Sequence, residues 1–215
     1  MSKLYCVIGL GRFGFSVAQR LIELKKDVIC IDKDEEKVKE VSEVAPVVYQ
    51  LDCTDEKALK QVGISNVDVA VVSVGNDIEV SILTVAILHS FGIKEIYAKA
   101  TNPLHGRVLA KVGATRVIFP EKEKGIDLAN HLAGVDIIEA IDSTGKYVFA
   151  KMKAPSIFVG KSIIELDVRK RFGLNIIGIQ RNSRFDINPS PNEVISENDT
   201  LLVVGKKEDV EKVGL

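Results

Sequence analysis

Gly9-Leu10-Gly11-Arg12-Phe13-Gly14 is the stretch on which the fold turns. It follows an apolar run, Lys3–Ile8, and opens a segment whose apolar residues Phe13, Val17, Leu21 and Leu24 recur close to helical spacing. A strand followed by G-x-G-x-x-G and a helix has a mechanical reason for each glycine. Gly9 permits the tight turn, Gly11 lets a pyrophosphate approach the backbone, and Gly14 lets the helix sit close to the sheet. The free N–H groups and the positive end of that helix then face the phosphates.

The pattern repeats outward from this turn. Asp27–Ile31 is predicted as a second strand stopped by Asp32, and Asp34–Glu43 as the next helix. Pro46–Leu51 reads as a strand, with Thr54 as the N-cap of a helix through Val62. Val67–Val74 is almost wholly apolar and β-branched, which suits a strand covered on both faces. Ile78–Phe91 is a predicted helix ended near Gly92, Glu95–Lys99 a strand, Pro103–Val112 a helix after Asn102, and Arg116–Phe119 a strand. Six strands alternating with five helices imply βαβ units, hence an α/β domain with a Rossmann-type doubly wound parallel sheet over residues 1–120.

Pro120 breaks this alternation. Glu121–Leu132, ended by Gly134, reads as a connecting helix or arm over 121–134. Residues 135–215 read as a small α+β domain. Ile137–Asp142 and Tyr147–Lys151 flank a turn at Ser143-Thr144-Gly145, and Ser162–Phe172 is predicted as a single helix ending at Gly173. Asn175–Gln180, Arg184–Ile187 and Thr200–Gly205 follow as strands, with a loop at Pro189 and Pro191 and a final helix at Lys207–Val213. A core of about eighty residues is marginal alone, so dimerisation is expected.

Bulk composition narrows the function. The chain has 215 residues, 46% hydrophobic and 27% charged, with 29 basic against 30 acidic residues and a net charge of -1. Such a balance lacks the basic excess of a protein that neutralises many phosphates, so nucleic acid is not an expected partner. The apolar run at Tyr5 is cut by glycine and Arg12 too early for a signal peptide, and the best apolar runs, such as Ile82–Leu88, fall far short of a bilayer span. A cytoplasmic protein is expected. Cys6, Cys30 and Cys53 form no CxxC, and Cys6 and Cys30 sit inside apolar runs as small core residues.

The candidate ligand residues gather at strand ends, beyond which such sheets bind ligands. Gly9, Leu10, Gly11, Arg12, Phe13 and Gly14 form the phosphate turn. Asp32, with Lys33 beside it, ends the second strand eighteen residues after Gly14; an acid there accepts both hydroxyls of an adenosine ribose and repels a 2′-phosphate. An NAD-like or adenine nucleotide is therefore expected rather than NADP. Asp52 and Cys53 follow the third strand, Ser73, Val74, Gly75 and Asn76 the fourth, and Lys99 ends the fifth. Asp52 also suits a plain helix cap, Lys99 a solvated strand end, and Asn76-Asp77 the cap of the next helix. Of His89, His105 and His131, none falls at a strand end beside the crevice, and there is no Ser-His-Asp arrangement, metal-ligand cluster or nucleophile elbow. A binding module is expected in preference to an enzyme; an NAD-dependent oxidoreductase is the runner-up, and a pyridine-nucleotide sensor controlling transcription is third.

Val7-Ile8-Gly9-Leu10-Gly11-Arg12-Phe13-Gly14, the Asp32 strand end, Gln50-Leu51-Asp52-Cys53-Thr54-Asp55, and Lys99-Ala100 through Pro120-Glu121-Lys122 resemble the RCK (KTN) regulatory proteins of Trk and Ktr potassium transport. Val159-Gly160-Lys161-Ser162, Ile177-Gly178-Ile179 and Asn198-Asp199-Thr200-Leu201-Leu202-Val203-Val204-Gly205 resemble the family's small RCK-C (TrkA-C) domain. The resemblance implies a regulatory subunit at the inner face of the cell membrane, in which dimers assemble into an octameric gating ring. Its implied partner is a membrane-embedded potassium-translocating subunit of the TrkH or KtrB kind, and its ligands are ATP, ADP, NAD or NADH. It implies that Arg12 reaches a terminal phosphate, often across the dimer interface, and that Glu121 holds an activating divalent cation between subunits. A cyclic di-AMP site around Ile176, Ile177, Arg181 and Pro191 is a looser implication. On the residues alone, Arg12 also reads as a solvated first-turn side chain and Glu121 as a helix-start acid.

Overall fold

Val7 and Val71 point to one face of a sheet while Cys6, Ile8, Ala70 and Val72 point to the other, and all six are buried. That double burial is why these runs are continuously apolar instead of alternating. In the computed structural model, which describes residues 3–75, 77–142, 144–182 and 184–214, the chain divides into two compact units, Met1–Pro120 and Glu121–Leu215.

In the first unit, β1 (Leu4–Ile8), β2 (Asp27–Asp32), β3 (Val48–Gln50), β4 (Val69–Val72), β5 (Glu95–Lys99) and β6 (Arg116–Ile118) form a parallel sheet in the order β3-β2-β1-β4-β5-β6. The helices are α1 (Arg12–Glu23), α2 (Glu35–Ser42), α3 (Glu56–Gln61), α4 (Ile78–Ser90) and α5 (Pro103–Lys111). The Rossmann-type doubly wound sheet expected from the alternation is therefore the observed one. Strand order reverses between β1 and β4, so the turns after these two strands flank the switch point where such sheets hold ligands.

Two local expectations need correction. Asp55, not Thr54, caps α3, accepting the N–H groups of Lys57 and Ala58; Thr54 is occupied by Asp52. The strand expected over Val67–Val74 is shorter because Val67 donates back to Ile64 O at 3.1 Å, closing a turn in place of a ladder bond. The helix expected over Glu121–Leu132 is present as α6 (Pro120–Leu132), with Pro120 at its first position, where its missing N–H has no helical partner to lose.

The second unit contains β7 (Val135–Ala140), β8 (Tyr147–Lys153), α7 (Ile163–Leu166), α8 (Val168–Phe172), β9 (Leu174–Arg181), β10 (Arg184–Ile187), β11 (Thr200–Lys206) and α9 (Lys207–Gly214). Its sheet is antiparallel in the order β10-β9-β11-β8-β7, covering a core that includes Phe158, Leu166, Leu174, Ile195, Leu201 and Val210. The single helix expected over Ser162–Phe172 is two helices, because Asp167 takes a left-handed conformation, φ 42°, between them. The expected Ser143-Thr144-Gly145 turn includes Ser143, which lies outside the described residues. Among the described residues no helix is long and apolar enough to cross a membrane.

Candidate functional site

The glycines of the turn divide into two kinds. Gly9 has φ +88°, and a Cβ there would stand 2.9 Å from the backbone carbon of Ser73 and 3.0 Å from Val74 N, so β1 and the segment after β4 can approach only without a side chain. A Cβ on Gly14 would fall 1.9 Å from Gly9 O, inside any contact distance, so α1 reaches the strand end only with glycine. Gly11 differs. Nothing lies within 4 Å of a Cβ placed on it, so that side of the turn is open.

The N-terminus of α1 is open in a second sense. Asp34, Asp55, Asp77 and Asn102 cap α2 through α5 with side-chain hydrogen bonds, but Gly11 supplies none to α1. The first turn of α1 has no acidic residue, and Arg12 stands exposed at its first position. A helix start with unsatisfied N–H groups and an added cation suits an anion.

Asp32 closes the turn from the side. It is buried, with Oδ2 accepting Leu10 N–H at 2.6 Å and Oδ1 accepting Asp34 N–H at 3.0 Å. One carboxylate thus ties the glycine turn to the start of α2. Sequence reading missed the third group here: Lys37, in the first turn of α2, places Nζ 3.8 Å from Asp32 Oδ2 and 3.5 Å from Asp34 Oδ2. The only available signal was its i+5 distance from Asp32, which a solvated helix lysine shares.

On the opposite flank, Ser73 N–H donates to Ile8 O at 2.7 Å, and Ser73 Oγ would lie 3.1 Å from a Cβ on Gly14. Lys99 lies with Nζ 3.7 Å from a Cβ built on Gly75 and 5.9 Å from the centre of the Phe13 ring. Gly9 through Gly14, Asp32, Ser73, Val74, Gly75 and Lys99 are therefore brought into one region at the switch point. Asn76 lies outside the described residues.

Lys33 and Asp52 make a neighbouring pair at the ends of β2 and β3. Lys33 O accepts Gln50 Nε2 at 3.3 Å. Asp52 Oδ1 accepts the hydroxyl and N–H of Thr54, which together with the Lys33 charge hold its carboxyl below the usual range. Asp52 thus shapes the turn before α3, the bland alternative its sequence position allowed. Cys53 points inward, 8% exposed with Sγ 3.2 Å from Thr84 Oγ1, and burial pushes its thiol upward. Its sulfur lies in the core and not in the strand-end region.

Glu121 lies in the other unit, exposed in the first turn of α6, and among the described residues no group of three or more His, Cys, Asp or Glu side chains is placed to hold a metal ion. Arg181, assigned to a cyclic dinucleotide site, is engaged inside its own unit: Nε and Nη2 donate to Asp199 at 2.8 Å each, Nη1 to Glu193 at 3.1 Å, and Nη2 also to Val194 O at 3.0 Å. Its guanidinium straps a loop to the sheet.

A TrkA-N domain model matches residues 5–120, and a TrkA-C domain model matches residues 148–214. The chain belongs to the TrkA (RCK) family. The chain is 34% identical over 212 residues to the Ktr system potassium uptake protein C of Bacillus subtilis (strain 168), covering 99% of this chain and 96% of that protein. It is 35% identical over 211 residues to protein A of the same system and organism, covering 98% and 95%. Among solved structures, the GsuK RCK domain superposes with TM-score 0.64 at 18% identity, over 100% of this chain and 47% of that one, a likeness of fold. GsuK bound to ADP matches with TM-score 0.50 at 29% identity, over 60% of this chain and 34% of that one. The family member thus spans under half of each of these two GsuK chains.

Proposed function

We propose that this chain is a nucleotide-sensing regulatory subunit that gates a membrane potassium transporter or channel by a ligand-dependent change of shape in an oligomeric ring. The observation that carries the reading is the uncapped start of α1, open over Gly11 and packed at Gly9 and Gly14, in a chain whose potassium-uptake relatives match it end to end. The residues present fit an adenine nucleotide, ATP or ADP or NAD or NADH. Gly11 and the amides of Arg12 and Phe13 face the phosphates, Asp32 the ribose, and Ser73 to Gly75, Lys33, Asp52, Cys53 and Lys99 the surrounding wall. Arg12, exposed and opposing the α1 dipole, is the group that reads a terminal phosphate. The GsuK structure bound to ADP supports this ligand class over the region it shares with the chain.

The same reading places the chain in homodimers that build an octameric ring on a membrane-embedded subunit of the TrkH or KtrB kind, peripheral to the inner face of the membrane. The apolar side chains Leu128 and Leu132, one turn apart on α6, are 59% and 78% exposed, a face that a second copy would cover. Glu121, at the start of that helix, would need carboxylates from a neighbour to hold a divalent cation. A cyclic di-AMP at the second unit would rest on Ile176, Ile177 and Pro191, since Arg181 serves the fold.

No enzymatic step is included. His105 is buried with Nδ1 against Thr101, and His131 pairs with Asp136 at 2.6 Å, so neither stands ready as a proton shuttle for a nicotinamide. Calorimetric titration of the chain with ATP, ADP, NAD and NADH tests the reading. Saturable one-per-chain binding without consumption of the nucleotide is expected; NADH oxidation with a second substrate would favour an oxidoreductase instead.

A further inference from the structure

The adenosine end of the candidate site contains a charge that family resemblance and strand-end logic both pass over. We propose that Lys37 and Asp32 together clamp one hydroxyl of the ligand's ribose, Asp32 accepting its proton and Lys37 donating to its oxygen. The inference rests on the adenine-nucleotide reading of the site and deepens it.

Asp32 already accepts one backbone N–H on each oxygen, which leaves a lone pair free on each. Lys37 Nζ is too far from Asp32 Oδ2, at 3.8 Å, and from Asp34 Oδ2, at 3.5 Å, for a short hydrogen bond to either. An ammonium has three donors, and here two carboxylates attract it without ending its capacity. A hydroxyl oxygen at ordinary distances of about 2.8 Å from both Oδ2 and Nζ bridges a 3.8 Å gap at close to a right angle.

A hydroxyl is the ligand group that suits both partners, because it donates to the carboxylate and accepts from the ammonium at once. A bare methylene leaves both unmet, and a phosphate meets Lys37 but is repelled by Asp32. Lys37 also offsets part of the negative charge that Asp32 and Asp34 place at the adenosine end, as Lys33 does that of Asp52. Asp34 keeps Lys37 near this place while capping α2, and the lysine side chain is 42% exposed, so its removal leaves the core untouched.

The test is a cycle between ligand and protein, in which calorimetry compares ADP, 2′-deoxy-ADP and 3′-deoxy-ADP on the full chain and on its Lys37→Met and Lys37→Arg variants. In the wild-type chain, one of the two deoxy ligands is expected to bind about tenfold or more weakly than ADP, the size of one lost hydrogen bond to charged groups. In Lys37→Met that ratio is expected to shrink to about threefold, because Asp32 alone still accepts the hydroxyl. Lys37→Arg, which keeps a donor, is expected to hold the larger ratio. Equal ratios in the wild type and Lys37→Met overturn the proposal, whatever happens to the melting temperature; a lysine that only supports α2 changes stability and leaves the ratio alone. Wild-type binding of ADP with no preference over either deoxy form overturns it as well. Failure of the wild type to bind ADP at all strikes the nucleotide reading itself, and is distinguished by the missing heat in the first titration.

Discussion

Gly11 and Gly14 stand three residues apart in one turn, yet a single methyl group at each has opposite consequences. At Gly14 the new carbon meets a backbone carbonyl at 1.9 Å, which only a shift of α1 away from β1 can relieve. Gly14→Ala is expected to lose about 1–3 kcal/mol of stability, the usual range for overpacking, measured by urea or thermal melts. At Gly11 the methyl enters open space. Gly11→Ala is expected to melt close to the wild type and to lose most nucleotide affinity in calorimetry, because the obstruction falls where a phosphate comes in; wild-type affinity in this variant would remove the turn from the site. Arg12→Ala should bind ADP much as before while losing preference for ATP, since the γ-phosphate is the group Arg12 is assigned to read. The packing of these glycines was legible in the sequence because the motif fixes each one relative to a strand and a helix. Lys37 was not, since its significance comes from α2 folding back over the end of β2, a contact that spacing does not announce. The strap made by Arg181 was not legible either: an arginine at a strand end gives no sign of a buried partner eighteen positions later.

That partner matters at the scale of elements. The segment between β10 and β11 has little regular structure, and Arg181 from β9 holds it through Asp199, Glu193 and Val194. Asp199 is 1% exposed and also accepts Ser196 N–H, so the strap fixes both the loop and the entry to β11. Hydrogen bonds from Arg181, against the burial that opposes them, hold the Asp199 carboxyl below its ordinary value of 3.8. A carboxyl whose value is depressed in the folded state contributes stability above the unfolded value and loses it as pH falls through the folded one. The second unit should therefore weaken as pH drops below about 4, and Asp199→Asn should be less stable at pH 7 yet show a flatter acid limb in melts at pH 7, 4 and 3. Arg181→Ala should lose about 2 kcal/mol, less than for a fully buried pair because the guanidinium is 42% exposed. The elements themselves were largely readable, since β-branched runs and helical spacing mark α/β alternation clearly. What escaped was local: two cap-competent residues, Thr54 and Asp55, stand side by side, and the left-handed Asp167 that splits α7 from α8 carries no glycine to reveal it.

At the scale of the whole molecule, the question is whether a ligand in one unit is felt by the other. Each unit has its own core, with Ile8, Leu59 and Ile96 among the buried residues of the first and Phe158, Leu166 and Leu201 among those of the second. Two cores permit two independent stabilities. A nucleotide at about a hundred times its dissociation constant adds about 2.7 kcal/mol to whatever it binds, and hydrogen exchange shows which amides receive that protection. ATP and ADP should both protect the amides of β1, the glycine turn and α1, because both present the same first phosphates there. A ligand shifts a conformational equilibrium only by its differential affinity for the two states, so a signal must appear as a difference between the two nucleotides. For a regulatory subunit that difference is expected to extend past residue 120, into α6 and the sheet of the second unit, and to vanish in Arg12→Ala. If ATP and ADP give the same exchange pattern everywhere beyond the turn, the nucleotide is a fixed structural ligand, and the sensing role fails even though binding stands.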